Sequence, residues 1–325
     1  MLKIAVINPG IADGLARTIL DGLVSLTKRD SSVSFKYANT FPYAIEGLEE
    51  NQSKDKKDFI DFAKEANLIF FIWAKRDMDI GLANEIGLWD KTIFIDGSEI
   101  GKNGRYNFEI QHKIIKGEYS GSGKIDTEML HKCPLYFRRE KPYKDGIVPF
   151  PFGIESLYVK DFSLNTPKDI DFFCVFGQDE YPLMRRYSRE ILIDFCKKNG
   201  FTCFTEKTDR DNFYRTLARS KVGISVGGGG YDCMRFWEIL GNNCLMLTEK
   251  IDIYEPDSKK LKYDRIWQFN DLFDFEYQLE KMGEYLRKEY DQSKLKEEYR
   301  KVMSEHSSEA RVLEIIEKAK EIKLL

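Results

Sequence analysis

Residues 227–238 gather the residue types that hold a nucleotide: four consecutive glycines (Gly227, Gly228, Gly229 and Gly230), then Tyr231, Asp232, Arg235 and Glu238. A glycine run permits positive φ angles and lets a ligand approach the bare backbone closely. Arg235 can offer a diphosphate a planar, charge-assisted fork, and Glu238 can accept from two neighbouring hydroxyls such as those of a ribose. Asp232, Arg235 and Glu238 recur every third residue, so on a helix they share a face. The same i, i+3 Arg–Glu spacing occurs on ordinary solvated helix faces, and it is the adjoining tetraglycine that points to a phosphate cradle. The run is neither G-x-G-x-x-G after a first strand nor a Walker A sequence, so it supports neither of those sites.

The elements that must position these groups can be read on both sides. Val222–Val226 is a short β-branched run bounded by turn formers, as in a buried parallel strand. A helix from about Asp232 to Leu240 follows, with Gly241 expected as its C′ residue, and its start presents unpaired N–H groups and the positive end of the dipole. Upstream, strands are expected at Leu2–Ile7, Val33–Tyr37, Leu68–Trp73, Thr92–Ile95 and Cys133–Phe137, with helices at Asp13–Leu26 and Lys54–Ala66. Residues 101–132, rich in Gly and Lys, are expected to be a partly irregular insertion. The alternation resumes with strands Asp171–Phe176, Phe201–Phe204, Cys244–Thr248 and Trp267–Phe269, and helices Tyr181–Lys198 and Asp211–Arg219. Glu276–Tyr290 and Glu309–Leu325 carry apolar spacings of three and four, so their charges read as solvated helix faces. The pattern predicts two doubly wound α/β halves that meet at a cleft.

Ligands of open parallel sheets bind beyond the carboxyl ends of the strands. In the first half that rule selects the loops at 9–13, 74–79 and 96–101. Asp13, Asp96, Glu99 and His112 are acid–base candidates there by residue type. Arg138 and Arg139 form a basic cluster after the fifth strand.

Composition narrows the class. A chain of 325 residues suits two domains, and 42% hydrophobic with 32% charged residues describes a soluble globular protein. A net charge of −3 and a pI near 5.9 argue against a general nucleic-acid coat while leaving room for a local basic patch. The six cysteines show no C-x-x-C pairing and read as buried thiols of a reducing compartment. Three histidines suggest no metal cluster. The longest apolar run, 68–74, is too short to span a bilayer, and a cytoplasmic location is expected.

With DIDFFCVFG and its arginine-bearing helix (Arg185, Arg186), ARSKVGISVGGGG, YDCMRFWEILGNNCLMLTE and EHSSEAR in that order, the chain resembles the GT-B glycosyltransferases. The likeness is to the glycosyltransferase family 1-like, spore-maturation-protein-like branch, and covers about residues 147–317. The resemblance implies a GT-B fold: a Rossmann-like acceptor domain (1–155), a Rossmann-like nucleotide-sugar domain (156–305), and a C-terminal helix (306–325) returning to the first domain. It implies a nucleotide-diphosphate sugar as donor substrate, no cofactor and no metal. Arg235 and Arg185 would neutralise the diphosphate, Glu238 would hold ribose or sugar hydroxyls, and Arg139, Glu99 and His112 would line the acceptor side. For inverting transfer, Asp13 or Asp96 would deprotonate the acceptor, which is a glycan, small molecule, protein or modified DNA. The E-x7-E pattern of retaining members is absent, because Gly230 stands eight positions before Glu238, and stereochemistry stays open. A nucleotide-sugar 2-epimerase and a non-catalytic nucleotide-sugar-binding module are the alternatives.

Overall fold

A computed structural model describes residues 1–73, 78–99, 125–140, 145–159, 164–177, 183–251, 253–254 and 258–325. Its first sheet joins β1 (Leu2–Ile7), β2 (Val33–Tyr37), β3 (Leu68–Trp73), β4 (Thr92–Asp96), β5 (Leu135–Arg138) and β6 (Ile147–Pro149) in the order β2-β1-β3-β4-β5-β6. Every pairing is parallel. That explains the near-continuous apolar strands: helices cover both faces, so β3 is buried from Leu68 to Ile72 and β4 throughout. The helices are α1 (Gly14–Arg29), α2 (Lys56–Glu65), α3 (Ile80–Ile86) and α4 (Thr127–Lys132).

The second sheet runs β11-β10-β9-β7-β8, built from β7 (Ile170–Phe173), β8 (Cys203–Phe204), β9 (Ser220–Ser225), β10 (Leu245–Glu249) and β11 (Ile266–Phe269), again all parallel. Helices α5 (Leu183–Asn199), α6 (Arg210–Ala218), α7 (Met234–Gly241), α8 (Leu272–Lys288) and α9 (Gln292–His306) complete it, and α10 (Ser308–Glu321) returns to α1 of the first. The two doubly wound domains and the returning helix expected from the sequence are present. Strand order reverses between β1 and β3 in one sheet and between β7 and β9 in the other. These are the switch points where doubly wound sheets open a crevice.

The chain crosses between the sheets twice, and the crossings are bonded to each other. Ile154 N donates to His306 O at 2.7 Å and Ser308 N to Ile154 O at 2.9 Å. The polar face of α1 is turned onto these crossings. Arg17 is paired with Glu155, Thr18 donates to Glu155 at 3.0 Å, and Asp21 accepts the Ser156 amide at 2.9 Å and the Ser308 hydroxyl. Ser25 donates to Glu309 at 2.6 Å, which fastens α10 along α1.

One expectation fails locally. Gly241 is the last residue of α7, not its cap; the left-handed residue is Asn243, with φ 54°. A Cβ on Gly241 would lie 2.7 Å from Ile154 Cγ2, so the glycine lets α7 pack against the first crossing. Thr127–Lys132, at the end of the segment expected to be partly irregular, is a helix that Asp126 caps through the Met129 amide at 3.0 Å. Among the described residues, no helix is long and apolar enough to cross a membrane.

The EHSSEAR segment is the clamp on these crossings. Arg311 Nε donates to Phe152 O at 3.1 Å, its Nη2 faces His306 Nδ1 at 3.0 Å, and its guanidinium lies 5.1 Å from the Trp237 ring centre. His306 Nε2 meets Lys260 O at 2.7 Å, and burial, then the Arg311 charge, hold its pKa well below the usual value. Arg311→Ala leaves these acceptors unpaired. It should lower the free energy of chemical unfolding by about 2–4 kcal/mol; a loss below 0.5 kcal/mol would mean the crossings do not depend on it.

Candidate active site

A cleft of about 610 Å³ opens at both switch points, between the carboxyl ends of the two sheets. Ile11, Asp13, Tyr43 and Glu99 lie on the first-sheet wall, and Phe176, Arg185, Gly228, Gly230, Arg235 and Glu238 on the other.

The glycine loop is an exit turn held at both ends by carboxylates. Gly227 N donates to Glu249 Oε2 at 3.1 Å, Gly228 N to Gly230 O at 3.0 Å, and Asp232 N to Glu140 Oε1 at 3.1 Å. Positive φ, which the sequence reading allowed for, is not used: the described glycines that adopt it are Gly47, Gly87, Gly146 and Gly200. Close approach is what the loop needs. A Cβ on Gly228 would lie 2.7 Å from Nη2 of Arg185, whose Nε and Nη2 both donate to Val226 O at 3.2 Å. The buried Arg185 guanidinium therefore lies flat against the loop backbone, as its place near the start of α5 suggested. Among the described residues, the amides of Gly229 and Gly230 have no partner within the chain. Cys233, the residue before α7, provides no side-chain cap. Gly228, Gly229 and Gly230 line the cleft beside the start of α7, and unpaired backbone N–H groups at such a place suit an anion.

Arg235 and Glu238 are neighbours one turn apart on α7, ion-paired and both lining the cleft. The Arg235 guanidinium lies 4.2 Å from the Phe213 ring centre, and the Tyr214 hydroxyl donates to Glu238 at 2.9 Å. Residues of α6 thus hold both groups from behind. Asp232 does not join their row. It is buried before the helix begins, accepting from Phe152 N and Trp237 Nε1, each at 2.8 Å. Tyr231 is likewise buried.

On the opposite wall, Asp13 caps α1 by accepting the Ala16 amide at 2.8 Å, and it faces the cleft at the exit of β1. Glu99 also lines the cleft and accepts from Arg139 at 2.5 Å. Arg139 is buried over the Phe152 ring at 4.5 Å, with Glu140 at 3.6 Å and Asp232 at 3.8 Å. Asp96 must be removed from the candidate bases. It is fully buried, taking the Arg138 guanidinium at 2.6 Å, the Tyr136 hydroxyl at 2.5 Å and the Ser98 amide at 2.8 Å. A carboxylate so enclosed has no path to an acceptor. His112 lies outside the described residues.

Sequence reasoning missed Glu140, Glu249, Tyr43, Phe213 and Tyr214. Glu140 and Glu249 stand at the carboxyl ends of β5 and β10, so the strand-exit rule applied to every strand would have found them. Tyr43, Phe213 and Tyr214 leave no such signal.

No protein-family model matches the chain, and no curated protein matches it by sequence. Solved structures do match. A glycosyltransferase from Rickettsia africae superposes with a TM-score of 0.57 at 10% identity, over 99% of this chain and 98% of that one. An alpha-glucosyltransferase in complex with UDP gives 0.52 at 10% identity, over 99% of each chain. A Listeria monocytogenes structure named for UDP-N-acetylglucosamine 2-epimerase gives 0.50 at 9% identity, over 99% of this chain and 96% of that one. At such identities the likeness establishes the fold, which is the two-domain GT-B arrangement.

Asp232 ties the cleft to the crossing, and burial pushes its pKa up from 3.8 to about 6 against the pull of Arg139 and its two N–H donors. The folded protein holds that proton more tightly than the unfolded chain, so this contribution to stability is complete below about pH 4 and is lost as pH rises through about 6. The change corresponds to about 3 kcal/mol. In chemical denaturation, the stability of wild type relative to Asp232→Asn should fall by about that much between pH 4 and 7 and then level off; a pH-independent difference would contradict this.

Proposed function

We propose that the protein is a glycosyltransferase that moves a sugar from a nucleotide-diphosphate donor to an acceptor hydroxyl without a metal. The observation that carries this reading is the convergence, on one cleft wall, of the open N–H groups at Gly229, Gly230 and the start of α7 with Arg185, Arg235 and Glu238. Such a wall complements a diphosphate next to a diol. UDP in a structural neighbour of the same fold is consistent with it.

The chemistry follows from where charge develops. As the glycosidic bond breaks, negative charge builds on the leaving diphosphate. The loop amides, the α7 N-terminus and Arg235 face that charge and stabilise it more in the transition state than in the ground state. Arg185, flat against the loop, adds positive potential from below. Glu238, held by Tyr214 and Arg235, accepts from the ribose hydroxyls and so fixes the donor's register. Asp13, across the cleft and held at the start of α1, takes the proton of the acceptor hydroxyl in inverting transfer.

The epimerase alternative has less support, since among the described residues no histidine lines the cleft. A binding module without catalysis would share the donor wall and lack turnover.

The direct test is release of nucleoside diphosphate from a panel of UDP-, GDP-, dTDP-, CDP- and ADP-linked sugars, with glycan, small-molecule, peptide and modified-DNA acceptors. One donor should turn over. Asp13→Asn should lower kcat by about 100- to 10,000-fold with donor affinity within threefold of wild type. Wild-type turnover in Asp13→Asn would exclude it as the base, and absence of turnover with every donor would favour the binding module.

A further inference from the structure

The glycine loop belongs to the second sheet, yet its shape is set from the first. Glu140 follows β5, reaches across the interface, and accepts the Asp232 amide with Oε1 at 3.1 Å. It is 1% exposed, and the Gly230 backbone lies so close that a Cβ there would stand 1.8 Å from the same Oε1. Gly230 lines the cleft while Glu140 is not among its lining residues, so the carboxylate supports the loop from behind and leaves the ligand side open.

The support is itself anchored. Arg138 Nε donates to Glu140 O at 2.8 Å, and Arg138 is held by the buried Asp96. Arg139 lies among Glu99, Glu140 and Asp232 and offsets part of their charge. A chain of buried polar contacts thus runs from Asp96 in the first sheet, through Arg138 and Glu140, to the backbone at Gly230 and Asp232.

We propose that Glu140 is a positioning residue for the donor site: it holds the glycine loop from the opposite domain, so that the phosphate cradle is complete only when the two domains are together. Gly230 is then glycine because Glu140 needs the space, not because a phosphate does. The inference rests on the donor reading above.

A double-mutant cycle separates the two explanations. Wild type, Gly230→Ala, Glu140→Ala and the double variant are titrated calorimetrically with UDP, GDP, dTDP, CDP and ADP and unfolded by heat. Gly230→Ala should raise the Kd of the nucleotide that binds wild type at least tenfold, and Glu140→Ala at least threefold. In the Glu140→Ala background, the alanine at 230 should add less than threefold. Glu140→Gln, which keeps an oxygen for the Asp232 amide, should stay within threefold of wild type. A merely structural glutamate would lower the unfolding temperature and leave the Kd of the folded protein unchanged. The proposal is overturned by an equal Gly230→Ala penalty in both backgrounds, or by a folded Glu140→Ala with wild-type affinity. Should Glu140→Ala fail to fold, Glu140→Asp withdraws the carboxylate by one methylene and serves in its place. A wild type that binds none of the five nucleotides would overturn the donor reading and the donor-shaping role with it; non-additive unfolding temperatures would still register the contact between residues 140 and 230.

Discussion

The paired crossings at Ile154 and Ser308 are the constraint on which the cleft depends. Two α/β units joined by a single linker can rotate freely, whereas here His306 O and Ile154 O each accept an amide from the other crossing. The α1 helix seals the pair with Arg17, Thr18, Asp21 and Ser25, and Arg311 closes it from the far side. Arg17, Thr18, Asp21 and Arg311 are withdrawn from water, and leaving one such group unpaired costs about 1–3 kcal/mol. A change in the domain angle that broke several at once would therefore be strongly resisted. The arrangement fixes Asp13 opposite the glycine loop, across the cleft.

Buried charge is a poor source of stability, because desolvation offsets most of the attraction. Its value at this interface is geometric. Arg139 is paired with Glu99 and Glu140 inside the first domain, and Asp232 reaches that cluster from the second only when the two domains approach in one register, joining it to the first crossing through Phe152. Hydrophobic contact alone would allow the sheets to slide. The polar cluster ties the glycine loop to the first domain through Glu140.

The parts of this architecture legible in the sequence are those with short-range signals. Alternating apolar runs and amphipathic spacings located both sheets, and the tetraglycine with Arg235 and Glu238 marked one wall of the cleft. Partners far apart in the chain were not legible. Asp96 looked like a base because it ends a strand, but Arg138, 42 residues on, encloses it. Asp232 looked like the first member of a helical row, but Phe152, 80 residues earlier, draws it away before the helix starts. Gly241 looked like a cap because glycine often ends helices; the crossing at Ile154 is what requires it. In each case spacing along the chain was read correctly, and the physical partner came from the other domain or from a distant strand.

The central claim is that the wall at Gly227–Glu238 binds the diphosphate of a nucleotide donor. Calorimetric titration of wild type and Arg235→Ala with UDP, GDP, dTDP, CDP and ADP, without metal, tests it most directly. The account predicts that one nucleotide binds wild type and that the substitution weakens it at least tenfold, about 1.4 kcal/mol. Failure of all five to bind, or equal binding by the variant, would contradict it.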